Sequence, residues 1–377
     1  MIRNVKLGSI AIEAKESVSS IPPGTPIVGL EHLDPGELTL SRWDVTDKTT
    51  FTKTFKKGDV LFGRRRAYLK KAAVAPFDGV CSGDITVIRA MPNKIRPGLL
   101  AFLIQNDRFF AHAVKNSDGS LSPRAKWASL KEFAFALDDD LSVQDRILDL
   151  LESINNTKLK YKKVLAKCDE LIKSRFVEMF SCHKRVYLGQ YINQIRGVSY
   201  KPQDLGNNDS EHVILLRANN ITSSGLLLDD LQFVCRDKVQ DEQFLKCHDS
   251  LVCASSGSIE VLGKHVYIDR DLDFVFGAFC KVLRPKRSAF SRFIDGFFRT
   301  DDYRSQIKEL GQGTNINNLS NSSFDSIRLP LVSEEEALTF GKYICQIDKL
   351  KFNLQQAIDR AKKLSAKILN DALSAEE

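Results

Sequence analysis

Between Lys56 and Lys71 the chain carries seven basic residues, Lys56, Lys57, Arg64, Arg65, Arg66, Lys70 and Lys71, against one acid, Asp59. A field of that sign attracts a polyanion, because neutralising phosphates releases condensed counterions. Arginine can address guanine through two parallel hydrogen bonds and asparagine or glutamine can address adenine, while lysines and hydroxyls mainly hold the backbone. On that chemistry Arg64, Arg65, Arg66 and Tyr68 are candidate DNA contacts in the first half, with Lys70 and Lys71 on phosphates. In the second half the candidates are Arg217, Asn219, Asn220, Ser255, Ser256, Ser258 and Lys264. Gly119-Ser120 and Gly313-Thr314-Asn315 add Ser120, Thr314 and Asn315, since glycine permits a tight turn whose amides approach a phosphate. The plain alternative for each is a solvated loop or local packing.

Other chemistries find weaker support. Gly257-Ser258-Ile259-Glu260-Val261-Leu262-Gly263-Lys264-His265 misses a phosphate loop, with five intervening residues in place of four and His265 where a hydroxyl should meet magnesium. Asp84 and Asp249 lack the companion acid and lysine of a metal-dependent nuclease. Cys235, Cys247, His248 and Cys253 lack the tight ligand pairs of structural zinc. No Asn-Pro-Pro or Asp-Pro-Pro tetrad and no glycine-rich cofactor loop is present. The expectation is a chain without catalytic residues, metal or cofactor of its own.

Composition sets the frame. The chain has 377 residues, 43% hydrophobic and 27% charged, with a net charge of +7, which fits two or three globular domains and excludes disordered or fibrous classes. Its apolar runs are too short to cross a bilayer, and Met1-Ile2-Arg3-Asn4-Val5-Lys6 lacks a secretory signal, so a cytoplasmic location without membrane partners is expected. Eight scattered cysteines then read as reduced, mostly buried thiols.

Self-comparison at an offset near 190 aligns pieces in order. Ile27-Val28-Gly29-Leu30-Glu31-His32-Leu33 matches Leu215-Leu216-Arg217-Ala218-Asn219-Asn220-Ile221, and Lys57-Gly58-Asp59-Val60-Leu61 matches Cys247-His248-Asp249-Ser250-Leu251. Ser82-Gly83-Asp84 falls against Phe276-Gly277-Ala278, Asp118-Gly119-Ser120 against Gln312-Gly313-Thr314, and Lys131 to Phe135 against Asp325 to Leu329. Each copy combines short β-branched stretches, punctuated by glycine and proline, with one helical candidate, Pro97 to His112 and Phe290 to Ile307. An α+β module follows.

A long amphipathic segment succeeds each module. In the first, Ser142 with Asp145 offers a cap, and Ile147, Leu150, Ile154, Tyr161, Val164, Cys168 and Leu171 form a seven-residue seam. In the second, Ser333 with Glu336 forms a capping box, and the seam runs through Ile347, Leu350, Leu354, Ala357, Ala361, Leu364 and Ile368. The seams either pair with each other as an antiparallel coiled coil or serve a partner. A helix of about 39 residues rises about 58 Å, more than one turn of duplex DNA at about 34 to 36 Å.

The stretch Lys57 to Lys71 followed by Val80-Cys81-Ser82-Gly83-Asp84, together with Leu216-Arg217-Ala218-Asn219-Asn220-Ile221, Gly311-Gln312-Gly313-Thr314 and Asn317-Asn318-Leu319-Ser320, resembles the specificity subunits of type I restriction-modification systems, the HsdS family. The resemblance covers essentially the whole chain. It implies two tandem α/β target recognition domains separated by two long helices, with recognition domains over 1–140 and 183–332 and helical spacers over 141–182 and 333–377. It implies a non-catalytic protein that binds a bipartite double-stranded DNA target with an unread spacer. Its partners would be modification subunits, two in number, and a restriction subunit, which supply adenine methylation and cleavage with S-adenosylmethionine, ATP and magnesium. The amino-terminal copy departs from the pattern at Leu30-Glu31-His32 and at Pro123-Arg124-Ala125-Lys126-Trp127. A coiled-coil scaffold, or a DNA-binding protein without restriction partners, is the alternative.

Overall fold

A computed structural model describes residues 1–45, 49–222, 225–311 and 317–373. The helices among them are α1 (Pro97–Ile104), α2 (Asp107–Lys115), α3 (Trp127–Leu130), α4 (Leu141–Phe180), α5 (Ser291–Phe298), α6 (Asp301–Leu310), α7 (Asn321–Ser326) and α8 (Glu334–Ala372). The chain forms two compact units. One comprises Met1–Lys162 with the chain from Gln356 onward, and the other comprises Lys163–Gln355, so both long helices are divided between the units.

In the first unit an antiparallel sheet runs in the order Ala11–Ala14, Ile85–Ala90, Val60–Gly63, Ala72–Val74. A second sheet orders Asp44–Val45, Pro26–Val28, Gly79–Cys81 and Lys53–Phe55, the middle two parallel. The other unit repeats the plan with Ile192–Arg196, Cys280–Pro285, Ser250–Cys253 and His265–Tyr267, and with Gln232–Cys235, His212–Leu216 and Phe274–Phe276, where the last two are parallel. Strand Ile2–Lys6 pairs with Ala134–Asp138 as Arg185–Tyr187 pairs with Arg328–Pro330.

The duplication extends to individual hydrogen bonds. Asp59 accepts from the Lys56 amide and takes a two-pronged ion pair from Arg89, at 2.8 and 2.8 Å. Asp249 does the same with the Lys246 amide and Arg284, at 2.7 and 2.8 Å. Such an acid is buried because each carboxylate oxygen meets a donor. His32 Nδ1 accepts from the Gly29 amide where Asn220 Oδ1 accepts from Arg217. One alignment shifts by a residue: the Ser82 amide bonds Val28 and the Gly277 amide bonds Leu216, so Ser82, not Gly83, holds the place of Gly277.

The helical candidates each break in two. Asn106 stops α1 and caps α2 by accepting from the Arg108 amide, and Thr300 caps α6 through the Tyr303 amide. Side chains that compete for the backbone in this way end one helix and start the next.

The long helices pair within each unit. In the first, Leu148 and Leu151 of α4 join a core with Ile368, Leu369 and Leu373. In the other, Phe176 of α4 meets Phe340 of α8 edge to face at 5.4 Å, and Lys351 bonds Asp169 at 2.6 Å. Early α4 therefore lies with late α8 and late α4 with early α8, which is antiparallel pairing. On α4 the inward set keeps Ile147, Ile154, Tyr161 and Cys168, but Leu150, Val164 and Leu171 are exposed and the alternate seam positions fall one residue further along, at Leu151, Lys158, Leu165 and Ile172. Lys158 hides the repeat, because its methylenes fill a seam position that its ammonium disguises, and burial pulls that ammonium below its ordinary pKa. On α8 the inward set keeps Ile347, Leu354, Ala357, Ala361 and Ile368, but Leu350 and Leu364 are exposed.

The cap of α4 is Asp140, which accepts from the Ser142 amide, while Asp145 pairs with Arg96. Ser333 and Glu336 form the expected reciprocal box on α8. Among the described residues no helix is long and apolar enough to cross a membrane.

Candidate nucleic-acid interface

In the first unit the basic stretch leaves strand Val60–Gly63 as a loop and returns into Ala72–Val74. The Arg64 amide bonds the Asp84 carbonyl, the Ala125 amide bonds the Arg64 carbonyl, and the Gly63 amide bonds Lys71. In the other unit the same clamp holds a different loop: Ala254 amide to Phe279, Leu319 amide to Ala254, and Cys253 amide to Lys264. Arg65 thus occupies the place of Ser255, Arg124 that of Asn318, and Lys71 that of Lys264.

Within this frame the expected residues divide. Arg65 is exposed, its Nε donating to Ser122 Oγ at 2.6 Å and its guanidinium 3.6 Å from Asp84. Arg124 binds the same carboxylate at 2.8 Å and holds it below its ordinary pKa. Arg66 follows in a left-handed backbone conformation (φ 55°) and has no side-chain partner among the described residues. Tyr68 and Ser120 are exposed, the latter beside Gly119 at φ 107°. Lys70 reaches Asp107 at the start of α2, and Lys71 donates to the Leu30 carbonyl at 2.7 Å. Arg64 borders a hollow of about 400 Å³ with Lys126, Trp127 and Lys131, and its buried Nε has no partner among the described residues.

In the other unit Ser255 and Ser256 lie on a short strand against Asn317–Asn318, and Ser256 Oγ accepts from the Ser258 amide. Asn219 and Lys264 border a hollow of about 450 Å³. Arg217 is tied to the Asp230 carbonyl and carboxylate at 2.7 and 2.8 Å. Asn220 is fully buried at 0%, donating to the Leu227 and Asp229 carbonyls, so its amide is occupied in holding the turn. Thr314 and Asn315 lie outside the described residues.

Asp84, Ser122, Arg124 and Phe279 join the two loop clusters without having been singled out as contacts. Phe279 is 68% exposed, and its carbonyl anchors Ala254 and Ser255. The signal for Arg124 was its place in Pro123-Arg124-Ala125-Lys126-Trp127. Nothing in the sequence pointed to Phe279, whose exposure depends on the clamp.

The acids considered for nuclease chemistry are engaged by arginines, Asp84 by Arg124 and Asp249 by Arg284. Among the described residues no group of three or more His, Cys, Asp or Glu side chains could hold a metal ion.

No protein-family model matches the chain. Over 185 residues, 48% of its length, it is 34% identical to the type I restriction enzyme EcoKI specificity subunit of Escherichia coli K12, and equally to the StySPI specificity subunit of Salmonella potsdam. The matched segment spans only 40% of each relative's length. The fold is shared over 100% of this chain with a chain from a study of assembly and conformational transition in the type I restriction-modification system, with a TM-score of 0.58 at 17% identity and 98% of that chain covered. It is also shared with the S subunit of a type I restriction-modification system from M. genitalium, with a TM-score of 0.56 at 13% identity over 100% of this chain and 97% of that one. By sequence over half its length, and by fold over all of it, the chain is similar to the specificity subunits of type I restriction-modification systems.

Proposed function

We propose that this chain is the non-catalytic DNA-reading subunit of a type I restriction-modification assembly, recognising a bipartite double-stranded target with an unread spacer. The observation that carries the reading is the loop clamp built twice on one backbone scheme. It presents Arg65, Arg66 and Arg124 in one unit and Ser255, Ser256 and Asn318 in the other. Two copies of one frame with different side chains suit two different half-sites, because base readout resides in side-chain donors and acceptors. The exposed members, Arg65, Arg66, Tyr68, Ser120, Ser258 and Lys264, are assigned to DNA directly. Lys70, Lys71 and Arg217 reach it by exchanging their present partners.

The methyltransferase and the translocating nuclease belong to partner subunits in this reading, which bring S-adenosylmethionine, ATP and magnesium. Mapping adenine methylation across the genome with and without the gene tests the assignment. Loss of one split motif supports it, and an unchanged map contradicts it.

A further inference from the structure

Away from the loop clusters, the sheet of the second unit brings together a thiol, an imidazole and a carboxylate. His212 and Cys235 are directly opposed partners on adjacent antiparallel strands, so their side chains share one face. Cys235 Sγ lies 3.3 Å from His212 Nε2, and His212 Nδ1 lies 2.6 Å from Asp209 Oδ1. An ionised carboxylate only accepts, so Nδ1 carries the proton and Nε2 is left as the acceptor for the thiol. The ring is held in place: a Cβ on Gly206 would stand 2.1 Å from Nε2, so only glycine leaves room for it there. Gly206 is itself fixed by its amide bond to the Phe233 carbonyl.

The other cysteines lack this arrangement. Cys81, Cys168, Cys253 and Cys280 are buried, Cys247 donates to the Asp269 carbonyl, and Cys182 and Cys345 are exposed without an imidazole partner among the described residues.

We propose that Cys235, served by His212 and oriented through Asp209, is a reactive thiol that takes small electrophiles, peroxides among them. With a hydroperoxide the sulfur attacks the outer oxygen, an S–O bond forms and the O–O bond breaks. The thiol proton passes through His212 Nε2 to the departing oxygen. Cysteine sulfenic acid and water or an alcohol are the products, the sulfur being oxidised and the peroxide reduced. Asp209 is a positioning residue, holding the tautomer that leaves Nε2 free.

The test is pulse alkylation of the full chain with limiting iodoacetamide at neutral pH, read at each of the eight cysteines by peptide mass spectrometry. Cys235, although only partly exposed, should label about tenfold faster than the exposed Cys182 and Cys345. His212→Gln should bring it down to their rate or below, and Asp209→Asn should give an intermediate rate. Labelling of Cys81, Cys253 and Cys280 reports whether a variant has opened. Should His212→Gln do so, Asp209→Asn at the surface decides. Equal rates at Cys235, Cys182 and Cys345 in the native chain, or an unchanged Cys235 rate in a folded variant, overturn the proposal.

Discussion

At the start of strand Val60–Gly63 the chain places Gly58 with φ 91°, and at the matching start of Ser250–Cys253 it places His248 with φ 78°. The turn demands a left-handed residue in both units. One supplies glycine, which adopts it freely, and the other a histidine whose Nδ1 lies 2.7 Å from the Tyr267 hydroxyl. A second contrast lies in the helix that packs on each unit's long helix. Counting back from the caps Asn106 and Thr300, Ala101 of α1 and Asp295 of α5 occupy one position. Ala101 lies in an apolar core, whereas Asp295, 1% exposed, binds Arg299 at 2.8 Å and lies 3.1 Å from His265. Arg299 and Arg292 also reach Asp348 on α8. The backbone plan is common to the units, and the means of holding it is local to each.

Removing Asp295 should therefore be the most damaging change. Asp295→Ala removes the buried acid shared by Arg292, Arg299 and His265 and leaves only Asp348 to the two arginines, and loss of one partner from a buried ionic network costs about 3 to 5 kcal/mol. Denaturant unfolding should show the second unit's transition moving to lower urea while the first stays. A common shift of both would mean that the units do not unfold separately.

A smaller effect sharpens the contrast between the loops. Arg65→Ala should cost binding about 1 to 3 kcal/mol on the intact target and relax discrimination in one half-site only. Duplexes altered in either half, compared by titration, would reveal an equal loss in both halves if the assignment of Arg65 to one of them is mistaken.

Gly58→Ala isolates backbone strain, because nothing among the described residues lies within 4 Å of the added Cβ. The left-handed conformation alone should cost about 1 to 2 kcal/mol, read as a fall in the first unit's unfolding midpoint.

The smallest effect is pH-dependent and belongs to α8. Hydrogen bonds from the Ser333 amide and hydroxyl, then from His183, hold Glu336 down to about 2, below its ordinary 4.5. A depressed folded pKa gives stability that is present above the unfolded value and is lost as pH falls through the folded one. The second unit should weaken between about pH 4.5 and about pH 2, and Glu336→Gln should flatten that dependence. A Gln variant with the native slope would place the effect elsewhere.

Much of this was legible in the residues. The offset duplication aligned Asp59 with Asp249 and His32 with Asn220, because each pair performs one hydrogen-bonding task, and such tasks constrain residue type. Ser333 and Glu336 announced the start of α8 for the same reason. The helix seam was misread at Leu150, Val164 and Leu171 because Lys158 occupies an inward position and breaks the apolar pattern. Asn106 and Thr300 were overlooked as helix breaks because a cap is also an ordinary polar residue until its backbone partner is known. The candidate loops were chosen by charge in the first copy and mainly by hydrogen-bonding side chains in the second, and residue type alone could not separate Arg65, on the surface, from Asn220, which the turn consumes. That distinction depends on partners far along the chain, such as Asp84 and Arg124 for the first loop.

The central claim, that one chain reads two different half-sites through two copies of one frame, is tested most directly by selecting bound duplexes from a random library with the full chain. The account predicts enrichment of two short dissimilar blocks separated by a fixed unread spacer. Arg65→Ala should degrade one block, and Lys264→Ala should weaken binding without degrading that same block. A single continuous motif, or retention of random DNA with no enriched sequence, would contradict it.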